Sequence, residues 1–367
     1  MRCTRRSATV ALAAALFGLA AASAAAAADF GEKVQVHGYG NWAYGKTDGN
    51  AYMNGTDEGN YDKLEFSLAV AAAPSPNVSV QAQIFVENDE EGAGASVDYA
   101  FAEYAFSDLA RFRIGAVKQP FGIFTEIFDV GTVYPFVSLA QGIYGPAGFV
   151  SEHYVGAGLT GRTVVGSGWN LQYDLYGGEM ESALSTPWAE TGEDEGEADI
   201  MDMVGGRFVL TTPGMAANCG VSAYTGSEDA RSEAGEVESH RQTAVGAHVE
   251  WFQGPATVRA EYAYKDDEVT TANAAYAEAA WRFTPHWQVA ARYDWSKTDL
   301  EDGADVDGEL LKHQDIGFAV DYFFSRNMVL KFAYHRVDGN RFTAADDEDE
   351  GQDDTTNLYT AGVSFSF

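Results

Sequence analysis

Residues 359–367 read Tyr359-Thr360-Ala361-Gly362-Val363-Ser364-Phe365-Ser366-Phe367. In an extended chain successive side chains point to opposite sides, so Tyr359, Ala361, Val363, Phe365 and Phe367 share one face and Thr360, Gly362, Ser364 and Ser366 share the other. One face is apolar and aromatic; the other is small and polar. The same period of two runs through Leu64, Phe66, Leu68 and Val70, and through Val78, Val80, Ala82, Ile84 and Val86 against Ser79, Gln81, Gln83 and Glu87. It returns in Trp169, Leu171, Tyr173 and Leu175, and in Ile316, Phe318, Val320 and Tyr322.

About sixteen segments of this kind follow one another, at 34–44, 63–73, 78–88, 96–107, 111–118, 153–163, 168–177, 202–212, 219–226, 241–252, 255–265, 271–284, 287–297, 313–324, 328–337 and 357–367. Only in 96–107 is the in/out pattern ambiguous. Short turns such as Ser75-Pro76-Asn77, Gly166-Ser167-Gly168, Thr284-Pro285 and Ser325-Arg326-Asn327 alternate with longer connectors at about 45–62, 88–95, 119–152, 178–201, 227–240, 298–312 and 338–356. Tight reversals on one rim and long loops on the other predict an all-β fold, a closed antiparallel transmembrane barrel of about sixteen strands. A soluble β-sandwich also alternates. Segments of about ten residues match a tilted membrane crossing better than globular strands of about five or six, and aromatics crowd the segment ends at Trp251-Phe252, Trp281, Phe283, Trp287 and Tyr322 to Phe324.

The 367-residue chain carries 23 Lys and Arg against 55 Asp and Glu, a net charge of −32, with 46% apolar and 13% aromatic residues. That much apolar content excludes an acidic disordered chain, and the charge argues against nucleic acid as a partner, which would need an excess of Lys and Arg on some face. At the start, Arg2, Arg5 and Arg6 precede an apolar run from Ala8 to Leu19 and an Ala-rich tail to Ala28. This predicts a cleaved secretory signal over 1–28 and a mature domain over 29–367. Cys3 goes with the signal, so Cys219 is the one mature thiol and no intrachain disulfide forms.

The Val363 to Phe367 terminus resembles the last strand of bacterial outer-membrane proteins, where a terminal Phe is read by the barrel-assembly machinery. The run Gly115-Ala116-Val117-Lys118-Gln119-Pro120-Phe121-Gly122, with Thr125-Glu126 and Pro135-Phe136 beyond it, is similar to a stretch of porins related to the phosphate-selective porin O and P family. The resemblance implies a Gram-negative outer membrane, a homotrimer, contact with lipopolysaccharide, and a long loop folded inward to narrow the pore. The connector 119–152 is itself unusually apolar, with Phe121, Ile123, Phe124, Ile127, Phe128, Tyr134, Phe136, Ile143 and Tyr144; such a loop needs burial, in the lumen or against a neighbouring subunit. In the lumen, Phe121, Glu126, Asp129 and Tyr134 would form the constriction, with Lys118 at its root.

Alternation turns Arg111, Arg113, Arg162, Arg207, Arg259, Arg282, Arg292 and Lys331 inward, opposed by acidic residues that include Glu261, Glu278 and Asp294. A polar, water-filled wall of mixed charge suits passive diffusion of small hydrophilic solutes and ions. The acidic excess falls in the connectors, at 87–91, 190–199, 228–238, 299–309 and 346–354; it favours cations, though it also suits a saline habitat or divalent-ion binding, for which Asp305-x-Asp307-Gly308-Glu309 is a fragment of a calcium-loop pattern. The alternatives are a phosphate or anion path along the inward arginines, and a barrel-embedded hydrolase or adhesin. No G-x-S-x-G, H-E-x-x-H, Walker or G-x-G-x-x-G motif occurs, so no enzyme activity, catalytic residue, metal or cofactor is expected.

Overall fold

The computed structural model describes residues 34–89, 92–146, 148–181, 198–231, 237–300, 306–343 and 353–367. The expected signal, and the acidic stretches 190–197, 232–236, 301–305 and 346–352, lie outside them. Seventeen strands occur in one sheet: β1 (Val34–Thr47), β2 (Gly55–Thr56), β3 (Asn60–Ser75), β4 (Val78–Asp89), β5 (Gly92–Ser107), β6 (Ala110–Lys118), β7 (His153–Val165), β8 (Trp169–Glu181), β9 (Ala198–Thr211), β10 (Ala217–Arg231), β11 (Val237–Gln253), β12 (Ala256–Asp266), β13 (Thr270–Trp281), β14 (Trp287–Leu300), β15 (Lys312–Ser325), β16 (Met328–Asp338) and β17 (Thr355–Ser366). Sixteen of them, all except β2, pair antiparallel with their chain neighbours and close through β1 and β17. The two-residue β2 lies parallel to β1 at Gly45 and Lys46.

The sixteen ring strands correspond to the sixteen alternating segments. They reach further toward the long connectors than the alternation does: β10 ends at Arg231, not 226, and β11 begins at Val237 rather than 241. Beyond the apolar belt both faces meet water, so periodicity fades while the backbone ladder continues. The ambiguity over 96–107 has a local cause. Gln83 pairs with Tyr99 and Ile84 with Val97, leaving Asp98 as an extra residue in a bulge, and one inserted residue reverses the parity of everything before it.

The apolar face of each strand looks outward, with Val36, Trp42, Leu64, Val80, Phe112, Phe208, Phe318 and Tyr359 among its exposed side chains. Thr360 and Ser364 of β17 are buried on the inner face.

Closure depends on a close fit at the seam. Gly38 and Phe367 exchange backbone hydrogen bonds of 3.0 and 2.9 Å, and Gly40 pairs with Phe365. The two outward phenyl rings lie flat over these glycines: a Cβ on Gly38 would fall 2.1 Å from the Phe367 ring, and one on Gly40 2.4 Å from the Phe365 ring. Replacing Gly40 by Val should displace the ring and cost about 1–3 kcal/mol, the usual penalty of overpacking. Folded barrels migrate differently from unfolded chains in detergent gels, so the effect reads as a lower melting midpoint in that assay; an unchanged midpoint would mean that the ring moves aside freely.

Candidate functional site

The connector between β6 and β7 folds into the barrel and divides its interior. Its two roots are tied together: the Gln119 amide donates to the Glu152 carbonyl (3.3 Å), and the Ser151 amide donates to Gln119 Oε1 (2.8 Å). Between the roots the chain makes short turns at Thr125–Ile127 and Gly131–Val133 and a single helical turn at Gln141–Tyr144. Its apolar side chains need a surface without water, and the inner wall supplies one. Ala244, Ala263, Ala272 and Ala274 pack with Phe121, Phe124, Ile143 and Phe149, and Ala280, Ala290, Ala319 and Ala333 form a separate pocket for Phe136. Such small side chains leave room for a second layer inside the ring, as do Gly246 against Phe121 and Gly317 against Phe136, where a Cβ would fall 2.8 Å from the ring.

Polar residues of the same wall satisfy the loop backbone, which has left water without joining a sheet. Lys331 Nζ donates to the carbonyls of Gly131 (2.6 Å) and Phe136 (2.7 Å). Arg292 donates to the Ser138 carbonyl (2.9 Å) and stacks its guanidinium 4.2 Å above the Phe136 ring. Arg259 reaches the Val133 carbonyl (3.3 Å), Lys265 the Gly148 carbonyl (3.0 Å), and Asp294 accepts from the Gly142 amide (3.1 Å). Glu261 accepts from the Ile123 amide (2.9 Å), the Tyr144 hydroxyl (2.6 Å) and the Tyr276 hydroxyl (2.7 Å). Burial and the Glu261 charge both push the Tyr144 phenol well above its ordinary pKa, which keeps it a donor. Gly122 makes this approach possible: its φ is +61°, and a Cβ would fall 2.6 Å from both Glu261 Oε1 and the Tyr144 oxygen, so a side chain is excluded by both sterics and backbone conformation.

The charges expected on an open wall therefore divide into two groups. Arg207, Arg259, Glu261, Glu278, Arg292, Asp294 and Lys331 lie beneath the loop, and Lys331 is 1% exposed. The loop lies over them, and of the seven Arg259 also borders open space, at the short-turn end. Arg207 holds Asp174 (3.0 Å) and, on the loop, Glu126; Arg259 pairs with Glu250 (2.9 Å) and Glu278 (3.2 Å). Arg111 and Arg113 face Glu103 at 3.4 and 2.9 Å nearer the short turns. Arg162 and Arg282 lie at the short-turn rim, where Arg162 is largely exposed beside Asp108 and Arg282 lies on the Phe323 ring.

The proposed constriction residues likewise separate. Phe121 is 1% exposed and meets Tyr224 edge-on, so it belongs to the loop's landing surface, not to the passage. Glu126 keeps about a third of its side chain exposed. Asp129 and Tyr134 do border open space, a cavity of about 400 Å³ between the loop and the β3–β4 wall. Lys118 lies behind it, 2.5 Å from Asp98 and 3.5 Å from Asp129, while Gln83 donates to Asp98 (2.5 Å) and Asp129 (2.7 Å).

The ionisable groups lining this cavity are Asp62, Lys63, Glu65, Glu87, Asp129 and Glu152, five carboxyls and one amine. Burial raises the pKa of Glu152, opposed by the nearby Lys118 charge. Lys63 is already paired with Glu65 at 2.6 Å. Among the described residues no cluster of three or more His, Cys, Asp or Glu is placed to hold a metal; Asp307 of the calcium-loop fragment caps the turn at Gly308–Leu311 by accepting from the Glu309 amide (3.1 Å).

Asp98 and Asn41 are site residues that the sequence reading did not name; the Asn41 side-chain amide donates to Glu65 (3.1 Å) and to the Asp129 carbonyl (3.3 Å). For the covered wall the alanines were the available signal, since a wall facing water has no reason to be apolar at Ala263, Ala274, Ala290 or Ala319.

Removing the Lys331 ammonium tests the anchoring. Lys331→Met keeps most of the side-chain volume but loses two charge-assisted hydrogen bonds, each worth about 1.5–3 kcal/mol. The expected result is a larger and noisier single-channel conductance; an identical, quiet conductance would show that the loop is held without it.

Comparison with known proteins places this arrangement. A family model described as Gram-negative porin matches residues 8–341. No curated protein matches the chain in sequence. Among solved structures, the outer membrane channel DcaP of Acinetobacter baumannii is similar at 13% identity and a TM-score of 0.58, covering 91% of this chain and 97% of that one. The anion-selective porin from Comamonas acidovorans gives 11%, 0.57, 91% and 99%, and the trimer form of OmpT of Vibrio cholerae 11%, 0.56, 91% and 99%.

Proposed function

The chain belongs to the Gram-negative porin family, and from that premise we propose that it is a cation-preferring outer-membrane porin for passive diffusion of small hydrophilic solutes and ions. Family and fold mark it as an outer-membrane channel rather than an enzyme; the selectivity is our reading. One observation carries it: the cavity at the long-connector end is lined by five carboxyls and one amine, while the basic residues Arg207, Arg292 and Lys331 are engaged beneath the loop. Fixed negative charge in a narrow, partly desolvated cleft concentrates cations and repels anions. The mechanism is geometry and field, with no bond made or broken. The phosphate selectivity implied by the porin O and P resemblance has little support here, and the anion selectivity of the Comamonas porin does not travel with a fold shared at 11% identity.

Single channels in a planar bilayer across a KCl gradient test this. A reversal potential of cation sign is expected, and Glu65→Gln with Glu87→Gln should move it toward zero. An anion-sign reversal blocked by added phosphate would transfer selectivity to the guanidiniums at the short-turn end. Absence of current from folded protein would overturn the channel reading itself.

We further propose a homotrimer, supported by the trimer form of the similar Vibrio protein, with short turns on the periplasmic side, lipopolysaccharide around the outer rim, and Phe367 presented to the assembly machinery after cleavage near Ala28. Cross-linking in mild detergent should stop at three chains; a species that stays single would exclude the trimer.

A further inference from the structure

The interior holds a second open space, about 570 Å³, at the opposite end of the barrel, against the short turns at Gly254-Pro255 and Thr284-Pro285. Tyr134 borders both cavities. Their charges are opposite. The second cavity is lined by Arg259 and Arg282 and by no carboxylate, and a recess of about 340 Å³ beside it adds Arg326 to Arg282, again without a carboxylate. Arg259 is neutralised by Glu250 and Glu278. Arg282 makes no ion pair among the described residues; its guanidinium lies 3.6 Å above the Phe323 ring. Two cavities of opposite fixed charge thus lie on either side of Tyr134, negative toward the long connectors and positive toward the short turns.

We infer that this polarity makes the channel a rectifier, passing more current when the long-connector side is positive. The inference rests on the barrel being an open channel. Each vestibule stores the counter-ion of its own fixed charge. With the long-connector side positive, cations stored at the acidic end and anions stored at the basic end are both driven toward Tyr134, where carriers accumulate and conductance rises. With the voltage reversed both are drawn away, and the segment around Tyr134 is depleted. Tyr134 is held at this point by its hydroxyl, which donates to the Phe128 carbonyl (3.2 Å), and by the Lys331 ammonium 4.3 Å above its ring.

Single channels recorded at equal positive and negative voltages read the ratio directly, and a ratio away from one in either insertion orientation is expected at low salt. It should fall toward one as salt rises, since screening shortens from about 10 Å at 0.1 M to about 3 Å at 1 M. The double variant Arg282→Gln/Arg326→Gln, at the rim and outside the loop anchors, should lose the asymmetry while still conducting; Arg282→Lys/Arg326→Lys should retain it. Symmetric current in the unaltered protein at low salt, or asymmetry that survives the Gln pair, overturns the inference and leaves the channel standing. Folded protein that carries no current overturns both.

Discussion

In a membrane every backbone amide and carbonyl must find a partner within the protein, and the β1–β17 pairing is what allows this chain to meet that demand. Without it, two strands of more than ten residues would present open edges to lipid. The seam's composition follows from this requirement. Outward positions of a barrel favour bulk, yet β1 carries Gly38 and Gly40 there, because the rings of Phe365 and Phe367 need the space. A strand interior weakened by glycine is covered by aromatic surface from the strand beside it.

A closed ring also creates an interior that must be divided. The loop 119–152 is too apolar to stand in water, and the alanine wall of β11–β16 is too apolar to line a passage; each is explained by the other. Once the loop lies on that wall, the charges there change their task. Lys331, Arg292 and Glu261 supply donors and acceptors to a stretch of backbone that has no ladder of its own. Lys331 and Arg292 are tolerable there because they are hydrogen-bonded to the loop and lie beside Asp321 and Asp315, and Glu261 because three donors satisfy it. What remains uncovered is the β3–β4 wall with its carboxyls at one end and the arginine-lined space against the short turns at the other.

The fold was legible to a large extent, and the site only by side. Alternation located sixteen strands because a barrel wall separates two media along its whole height, and period two records that separation. It failed at Asp98, since an inserted residue leaves no mark when both neighbours, Val97 and Tyr99, suit a strand. It also overstated the openness of the wall. Parity tells which way Arg292 points; it does not tell whether water or Phe136 stands in front of it. That information is non-local, carried by a connector more than a hundred residues earlier, and reaching it means reading inward alanines as the imprint of something covering them.

The separation in sequence has a consequence for assembly. Lys331 lies 200 residues beyond the Gly131 carbonyl that it holds and 195 beyond that of Phe136, and the ring that encloses both is completed only by β17. Contacts so distant are expensive in loop entropy and slow to form. The loop's own roots, by contrast, meet across adjacent strands, where Lys118 is in register with His153. The insertion is therefore a local structure waiting for a remote floor: the 34 residues 119–152 are tethered by neighbouring strands long before the strands that form their landing surface have been added to the sheet.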